Sequence, residues 1–486
     1  DIIDMSAITK ENLPKSMRYG LTGSTAVAAS NQMARFSSVN GNSYTAGGAN
    51  EVRIRIKANG FLDVKHHFLQ FSITGAANTG FVDTHAGSFF DRITIEANGS
   101  IVEQINSYGL YNAIRKNYNR SMDEVVKDNC CAGGSVLAIK QDVGAFANVA
   151  GSTVAELLAS VNTNKDAFVA ATDGLVLNTA LGSLGDNVDN GDVKVYQIQL
   201  ESGLLKNHHE KALPDGLTEL ELVLRIAGNA QAFVSAANDT PTYTMSEVSF
   251  NCPVYMIQDA GIMAEYRAGV ADEGVLISGD TAKTYINNVV AGTGIKTLQI
   301  NDRSISCKAL VTAIRPTGAD NTKAAYSNGS YGYTTTAGTT QLESYKYIIG
   351  GVNYPTQDIK LNLTDGNKNL GRVQEETCKA LALHGEKYCN SLVSQSMIEG
   401  KLNDTFAAAP ATKSLDAPRG LVCIDLKKFS DDGLRMVGMN TSQNSSPNVL
   451  ELNITTTFGI NTDCTTFSVC EAFYQMDGNG GLSVVM

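Results

Sequence analysis

The sequence predicts an all-β protein in which one plan of strands is used twice. Three strand-like segments close the first half of the chain at 192–257, and three of the same character close the second half at 420–477. The tripeptide LEL at 220–222 is matched by LEL at 450–452. This period is much longer than the roughly 20–50 residues of a solenoid repeat, so it indicates two β-domains of similar design.

The composition is typical of a globular chain that lacks a basic face for nucleic acid. Of the 486 residues, 43% are hydrophobic and 18% are charged, and the 45 glycines favour turns and long loops. The net charge is −11 and no run of Lys or Arg exceeds two residues, so we expect no direct sequence-specific binding of nucleic acid. No apolar stretch reaches the length of about 18 residues that predicts a membrane span.

Strict alternation of apolar and polar residues predicts the first strands. In the segment 51–57, EVRIRIK, the apolar residues share one face and the basic residues share the other. A second strand is predicted over 64–74, where Leu69, Phe71 and Ile73 line one face. Both segments therefore predict half-buried strands with one face in a core.

A β-hairpin followed by a helix is predicted in each half. In the first half, Asn98 and Gly99 supply the two positive-φ residues of a type I′ turn within 89–105. Ser107 is predicted to cap the helix that follows. The apolar face of this helix comprises Tyr108, Tyr111, Ile114 and Tyr118. In the second half, YKYIIGGVNYPTQDIKL precedes the helical NLGRVQEETCKALALHG, with Gly385 as its C-cap.

The chain is predicted to divide into three regions. Residues 1–48 have no sustained period and are predicted to form an extended N-terminal arm. Residues 49–259 and 260–486 are predicted to form the two β-domains, with a short linking helix near 258–272. The loop before the closing strands of the first half, 121–191, is long enough to predict a role in contacts.

No residue is predicted to be catalytic, to bind a cofactor or to ligate a metal. The sequence has no phosphate-cradling loop, nucleophile elbow or zinc-binding helix motif. His66 and His67 are placed within a strand, where neighbouring side chains point to opposite faces. The polar segment 208–210, HHE, is interpreted as a surface connection. The segment 186–192, DNVDNGD, departs from a calcium loop because Val188 stands where an oxygen ligand is required.

The nine cysteines are interpreted as small buried hydrophobic residues in a reducing compartment. No pair has the CxxC spacing of a zinc site. They are Cys130, Cys131, Cys252, Cys307, Cys378, Cys389, Cys423, Cys464 and Cys470.

With this order of elements, the chain resembles the double jelly-roll major capsid proteins, the coat lineage of adenovirus hexons, tailless icosahedral phages and large DNA viruses. The resemblance rests on FFDRITIEANGSIVEQINSYGLYNAIRKNY, on LTELELVLRI with its counterpart NVLELNITTTF, and on MSEVSFNCPVYMI. It covers roughly residues 50–486. It implies two tandem eight-stranded jelly-roll β-sandwiches with short helices and long loops, after an extended arm.

The resemblance also implies a structural major capsid protein without enzymatic activity or cofactors. Three subunits with two jelly rolls each would form a homotrimeric, pseudo-hexameric capsomer, a near-hexagonal tile for an icosahedral capsid. The implied partners are other copies of the chain, neighbouring capsomers, vertex or minor capsid proteins and, through the N-terminal arm, an inner membrane. The implied location is the virion, assembled inside the host cell.

A second hypothesis is a secreted or surface β-sandwich that binds carbohydrate or hydrolyses glycosides. Jelly rolls also serve as lectin domains, and the loops are rich in Asn and Asp. The chain contains no Trp, however, and aromatic side chains are a usual means of presenting a large flat surface to a sugar. Stabilisation by calcium or sugar would distinguish this hypothesis from a coat protein.

Overall fold

A computed structural model shows two jelly rolls in tandem, as the sequence predicts. The part of the chain that it describes comprises residues 29–46, 50–57, 59–77, 80–120, 124, 131–133, 187–188, 190–208, 211–234, 242–318, 328, 331–332, 342–361, 370–382, 419–428, 436–444, 446–454 and 461–486.

The first jelly roll begins with β1 and ends with β13. Its strands are β1 (Ala29–Ser37), β2 (Ser43–Thr45), β3 (Glu51–Ile56), β4 (Phe61–Leu62), β5 (Phe68–Ala77), β6 (Gly80–Val82), β7 (Phe90–Ala97), β8 (Ser100–Asn106), β9 (Asn187–Val188), β10 (Val193–Ile198), β11 (Leu220–Ile226), β12 (Phe233–Val234) and β13 (Thr242–Ile257). Its helices are α1 (Tyr108–Asn119) and the single turn α2 (Asn229–Ala232).

The linking helix α3 (Ala260–Glu273) leads into the second jelly roll. The strands of this half are β14 (Val275–Val289), β15 (Gly294–Ile300), β16 (Cys307–Pro316), β17 (Leu342–Ile349), β18 (Val352–Lys360), β19 (Leu421–Asp425), β20 (Asn448–Ile454), β21 (Thr462–Met476) and β22 (Leu482–Val485). Helix α4 (Leu370–Ala380) lies between β18 and β19.

The main strands of both halves follow the same antiparallel order. In the first half, one sheet has the order β1-β13-β5-β10, with β2 and β4 also paired to β13, and the other has the order β3-β11-β7-β8. In the second half the orders are β14-β21-β16-β19, with β22 paired to β21, and β15-β20-β17-β18. A small sheet, β12-β6-β9, adds to the first half. Eight main strands therefore correspond one to one, with β1 equivalent to β14, β8 to β18 and β13 to β21.

The core of each half lies between its two sheets, where the inward faces meet. Leu69, Phe71 and Ile73 of β5 are fully buried, which confirms the face predicted from their alternation. The Phe71 ring lies 5.2 Å from the ring of Phe90 on the opposite sheet, in an edge-to-face arrangement. Pairs of this kind add about 0.5–1.5 kcal/mol to the free energy gained by burying the rings.

Both predicted hairpins are present, and their turns have the backbone that the sequence indicates. Asn98 and Gly99 adopt φ values of 51° and 76° between β7 and β8. Gly350 and Gly351 adopt φ values of 59° and 83° between β17 and β18. Two successive positive φ angles match the right-handed twist of the flanking strands, so these pairs fix the register of each hairpin.

The helix predicted after the first hairpin is confirmed, but Ser107 does not cap it through its side chain. Ser107 has left-handed backbone angles, φ 50° and ψ 43°, and its hydroxyl makes no capping hydrogen bond. A capping residue normally has extended angles, which direct its side chain towards the next backbone N–H groups. Helix α4 confirms the second helix, and its predicted C-cap Gly385 lies outside the described residues.

Part of the predicted N-terminal arm belongs to the first sheet instead. The sequence predicts an extended arm over residues 1–48, whereas Ala29–Ser37 forms β1 and pairs antiparallel with β13 along its whole length. Strand β1 lies at the edge of the sheet and none of its residues is buried, so it lacks the alternation by which strands are recognised. The boundaries proposed at 49–259 and 260–486 stay a prediction.

The two adjacent histidines lie in a turn and not within a strand. Val64–His66 forms one turn of 3-10 helix, and His67 follows it before β5 begins at Phe68. The predicted strand over 64–74 therefore begins four residues later than expected.

Helix α3 confirms the predicted linking helix. The Asp259 carboxylate accepts hydrogen bonds from the backbone N–H groups of Gly261 at 2.9 Å and Ile262 at 3.2 Å, which caps the first turn. Gly274, with φ 71°, ends the helix and directs the chain into β14. Within the described part of the chain, no helix is long and apolar enough to cross a bilayer.

Candidate functional site: the seam between the jelly rolls

The two jelly rolls pack side by side along a contact that we call the seam. The first jelly roll contributes β8, α1 and residues 201–208, and the second contributes β14, β21 and β22. Strands β8 and β14 lie in contact, and the Thr284 hydroxyl donates a hydrogen bond to the Asn106 carbonyl at 2.9 Å. At the seam, one copy of the repeated domain therefore binds the other.

Two glycines set the closest approach of the two halves. A Cβ atom on Gly279 of β14 would lie 1.9 Å from the carbonyl oxygen of Gly203. A Cβ atom on Gly203 would lie 2.7 Å from the Tyr474 hydroxyl oxygen and 2.9 Å from the Asp280 carbonyl oxygen. The two backbones are thus in direct contact, and a side chain at either position would push them apart.

A buried carboxylate on β8 holds the turn that carries Gly203. Glu103 is 2% exposed, and its carboxylate accepts hydrogen bonds from the Ser202 hydroxyl at 2.5 Å and from the backbone N–H groups of Gly203 at 2.8 Å and Leu204 at 3.3 Å. Hydrogen bonds to a charged group contribute about 1.5–3 kcal/mol each. The sequence predicts a strand at Glu103 but no role for its carboxylate, because the hydrogen-bond partners are about 100 residues away.

A cluster of three charged or ionisable side chains crosses the seam. The Asp280 Oδ1 atom lies 3.1 Å from Nε2 of His208, and the Lys308 ammonium group donates to both oxygens of Asp280 at 3.1 Å. Burial disfavours the charged form of Asp280, but the hydrogen bond to His208 and the charge of Lys308 outweigh it and hold its pKa below the ordinary value. The cluster therefore joins the first jelly roll, through His208, to two strands of the second.

A cavity of about 310 Å³ is lined mostly by charged side chains, which come chiefly from α1 and from the segment that carries Gly203. The lining residues are Arg115, Lys116, Asn119, Arg120, Glu124, Glu201 and Lys206. Lys206 Nζ donates to the Glu201 carboxylate at 2.7 Å, and Lys116 Nζ lies 3.6 Å from it. Burial raises the pKa of Glu201, but Lys206, Lys116 and Arg115 outweigh burial and hold it well below the ordinary value. These charges fix α1 against the segment that carries Gly203.

Helix α1 extends the seam with aromatic contacts. The ring of Tyr111 lies 5.4 Å from that of Phe467 on β21, and the Tyr118 hydroxyl donates to the Arg419 carbonyl at 2.6 Å. Burial raises the pKa of Tyr111 to about 12, so its phenol stays neutral at physiological pH. Two residues of the predicted apolar helix face, both members of the hydrophobic core, therefore also contact the second jelly roll.

The predicted polar motifs lie apart from one another. His66 Nδ1 lies 2.7 Å from the Asp63 carboxylate, whereas His67 is buried and accepts a hydrogen bond from the Leu200 N–H at 3.1 Å. Of the segment 208–210, His208 lies at the seam and the other two residues are outside the described part. Val188 is buried in β9, the strand that precedes the turn at 190–191.

The described cysteines are buried, apart from Cys131, which is exposed. Three side chains that could ligate a metal lie together, namely Asp302, Cys307 and Cys470. Both oxygens of Asp302 already accept hydrogen bonds, from the Ser304 hydroxyl at 2.7 Å and the Thr441 hydroxyl at 2.8 Å. We therefore interpret this group as a hydrogen-bonded part of the core. The expectation that the chain holds no metal stays a prediction.

Comparison with solved structures shows the fold of this chain, whereas comparison of sequences finds no match. No protein-family model matches the chain, and no curated protein matches it. A chain in a structure of the Sputnik virophage is 14% identical to this chain in sequence and matches its structure with a TM-score of 0.56. The match covers 99% of this chain and 92% of that chain. The PBCV-1 virus capsid shares 12% identity with a TM-score of 0.53, covering 96% and 99% of the two chains.

The major capsid protein of Faustovirus has 8% identity and a TM-score of 0.53, covering 94% of this chain and 93% of its own. These matches extend over nearly the whole of both chains, so they include the two jelly rolls and their relative arrangement. The chain therefore has the double jelly-roll fold of these capsid structures.

Proposed function

We propose that the chain is a structural major capsid protein, without enzymatic activity, that forms trimeric, pseudo-hexameric capsomers of an icosahedral virion shell. The observation that carries the proposal is the pair of jelly rolls with one strand order, packed side by side through the seam. Three such chains present six similar domains, which is the count that a hexagonal tile requires. A ring of this kind forms when one surface of each subunit binds a different surface of the next.

The structural relatives support this role, since those with the same fold over the same length are described as capsids or major capsid proteins. They do not favour the carbohydrate-binding or glycoside-hydrolase alternative. We accordingly assign the protein to the virion, assembled inside the host cell.

The same proposal includes the specific partners of the capsomer. We expect contacts with neighbouring capsomers and with vertex or minor capsid proteins, and contact of the segment before β1 with an inner membrane where the virion has one. The loop 121–191, most of which lies outside the described residues, leaves the first jelly roll after α1 and returns before β10. We propose that it forms an outer tower or a clasp between subunits.

The proposal is tested by the solution mass and shape of the purified chain. At micromolar concentration we expect a trimer of three 51.6 kDa chains, about 155 kDa, by light scattering, and a six-lobed particle by negative-stain microscopy. A strict monomer contradicts the proposal. Thermal stabilisation by calcium or by a glycan, in a chain that stays monomeric, would favour the carbohydrate-binding alternative.

A further inference from the structure

We propose that a cavity beside the seam binds a free fatty acid, with the hydrocarbon chain inside the cavity and the carboxylate held by Lys211. The cavity has a volume of about 440 Å³. Its walls come from β4 and the segment 207–214 of the first jelly roll, from α3, and from β14 and β21 of the second. Sites for small ligands occur preferentially between domains, and this cavity lies where two domains and their linking helix meet.

The walls of the cavity are largely apolar. The ring of Phe61 on β4 lies 5.0 Å from the ring of Tyr266 on α3, in an edge-to-face arrangement. Strand β14 adds Leu276, which is 58% exposed, and β21 adds the half-buried Phe473. Protein interiors seldom leave voids larger than a water molecule, and a water needs two to four polar partners to be held. The cavity therefore suits an apolar guest better than ordered water.

The buried polar residues of the lining, Asn207 and Ser278, are already hydrogen-bonded. The Asn207 side-chain amide donates to the Lys211 carbonyl at 2.9 Å and accepts from the Lys211 N–H at 3.1 Å. The Ser278 carbonyl accepts a hydrogen bond from the His208 N–H at 2.9 Å. A polar group buried without a partner is costly, so a ligand rich in hydroxyl groups would gain little here. The buried part of the ligand should be hydrocarbon.

Lys211 indicates the charge of the ligand. It is the charged residue among the described lining residues, and it is exposed, so its ammonium group lies at the mouth of the cavity. Two acids next to the lining are paired elsewhere, Asp215 with Arg267 at 2.9 Å and Asp280 with Lys308 at 3.1 Å. Within the part of the chain that the structure describes, the Lys211 ammonium group makes no ion pair. An apolar cavity with a cation at its mouth is complementary to a hydrocarbon chain that ends in a carboxylate.

The volume sets the length of the chain. A water molecule takes up roughly 30 Å³ in the liquid and a methylene group is of similar size, so the cavity has room for roughly fourteen such groups. Dodecanoate fits this space, whereas the two longer chains of a phospholipid do not. Burying one methylene group raises the affinity about fourfold. The affinity should therefore rise by about this factor with each methylene group added from octanoate to dodecanoate.

Calorimetric titration of the purified whole chain with dodecanoate, below its micelle concentration, tests the site. We expect one dodecanoate per chain, and weaker binding of decanoate and octanoate by about fourfold per methylene group. The melting temperature should rise with the concentration of dodecanoate, because the ligand binds the folded chain. A titration without saturable binding overturns the proposal, and so does binding of several molecules per chain with the same affinity for all three acids.

A pair of variants on β14 tests the location. Leu276→Glu puts a negative charge into the cavity, and the fold should tolerate it because Leu276 is already exposed. We expect dodecanoate to bind at least about tenfold more weakly to this variant. The matched control is Ile286→Glu, because Ile286 lies on the same strand, is 63% exposed and is not among the residues that line the cavity. Equal affinities of the two variants overturn the location.

Reversing the charge at the mouth tests the role of Lys211. The wild type should bind dodecanoate at least about fivefold more tightly than dodecyltrimethylammonium, which has the same chain and a positive head. Lys211→Glu should reverse this preference and leave the circular dichroism spectrum unchanged. An unchanged preference in the variant shows that Lys211 does not hold the carboxylate and overturns that assignment.

The site is independent of the proposed trimer, and the outcomes of the two tests can be told apart. A chain that is trimeric but binds no dodecanoate refutes the fatty-acid site and leaves the proposed function intact. A chain that is monomeric but binds one dodecanoate through Leu276 and Lys211 supports the site and refutes the proposed function.

Discussion

Replacing Gly279 with alanine is expected to open the seam inside the chain. The added Cβ would lie 1.9 Å from the Gly203 carbonyl oxygen, whereas carbon and oxygen atoms in contact usually lie about 3.3 Å or more apart. The two backbones must therefore separate by about 1.4 Å. The atoms in the way belong to backbone, so no flexible side chain can move aside to relieve the clash.

The cost follows from the contacts that such a movement breaks. The hydrogen bond from the His208 N–H to the Ser278 carbonyl, 2.9 Å long, would be stretched beyond bonding distance. Overpacking costs about 1–3 kcal/mol, and each lost hydrogen bond adds about 0.5–1.5 kcal/mol. We expect Gly279→Ala to lower the free energy of unfolding by about 3 kcal/mol or more.

Urea unfolding at one fixed protein concentration measures this loss. Gly269→Ala is the control, because Gly269 lies within α3 and a Cβ there would contact nothing within 4 Å. That change is expected to stabilise the helix by about 0.4–1 kcal/mol. If Gly279→Ala unfolds within about 0.5 kcal/mol of the wild type, the two halves are not held in backbone contact and the reasoning is wrong.

Three further outcomes are expected from the charged and thiol groups. Glu103→Ala should lower the free energy of unfolding by about 3–5 kcal/mol, because it leaves three buried donors unpaired. The control is Glu219→Ala, since the Glu219 side chain is half-exposed. In the same urea titration this variant should change the free energy of unfolding by less than about 0.5 kcal/mol. Burial lowers the pKa of His67 from 6.5 to about 4, so its contribution to stability is complete above pH 6.5 and is lost as the pH falls towards 4. His67→Gln should therefore make the melting temperature less dependent on pH between these pH values. A melting temperature that depends on pH as strongly as in the wild type would contradict the lowered pKa of His67. Burial raises the pKa of Cys252 and Cys464 to about 12. We therefore expect an alkylating reagent at about pH 8 to label these two thiols only in urea, as measured by peptide mass spectrometry. Labelling of the native protein would show that they are accessible.

Much of the fold follows from local sequence signals. Asn98 and Gly99 form the predicted turn because few other residue pairs adopt two positive φ angles. The alternation of Leu69, Phe71 and Ile73 holds because one face of β5 meets a core and the other does not. The repeat of these signals in the second half is what made two similar β-domains predictable.

The rest depends on contacts between segments far apart in sequence. Strand β16 is buried at all ten of its positions, so it shows no alternation that would mark it as a strand. Strand β1, at the edge of its sheet, has no fully buried residue, and only Ser30, Ala34 and Phe36 are half-buried, so its alternation is too weak to mark it as a strand. The seam could not be predicted, because Glu103, His208 and Asp280 are ordinary polar residues until the fold brings them together.

The order of the strands along the chain has a consequence for how the protein is made. Strand β13 lies at the centre of the first sheet, between β1 and β5, so the first jelly roll cannot close until residue 257 has been synthesised. From then on it can fold while the second half is still being translated, since domains generally fold as units during synthesis. Strand β14 can pair within its sheet only after β21 has been synthesised, about 190 residues later by chain numbering.

During that interval β8 is paired only with β7, and its other edge is open to any nascent chain on the same message. The speed of translation between β14 and β21 thus sets how long a half-made subunit remains liable to aggregate.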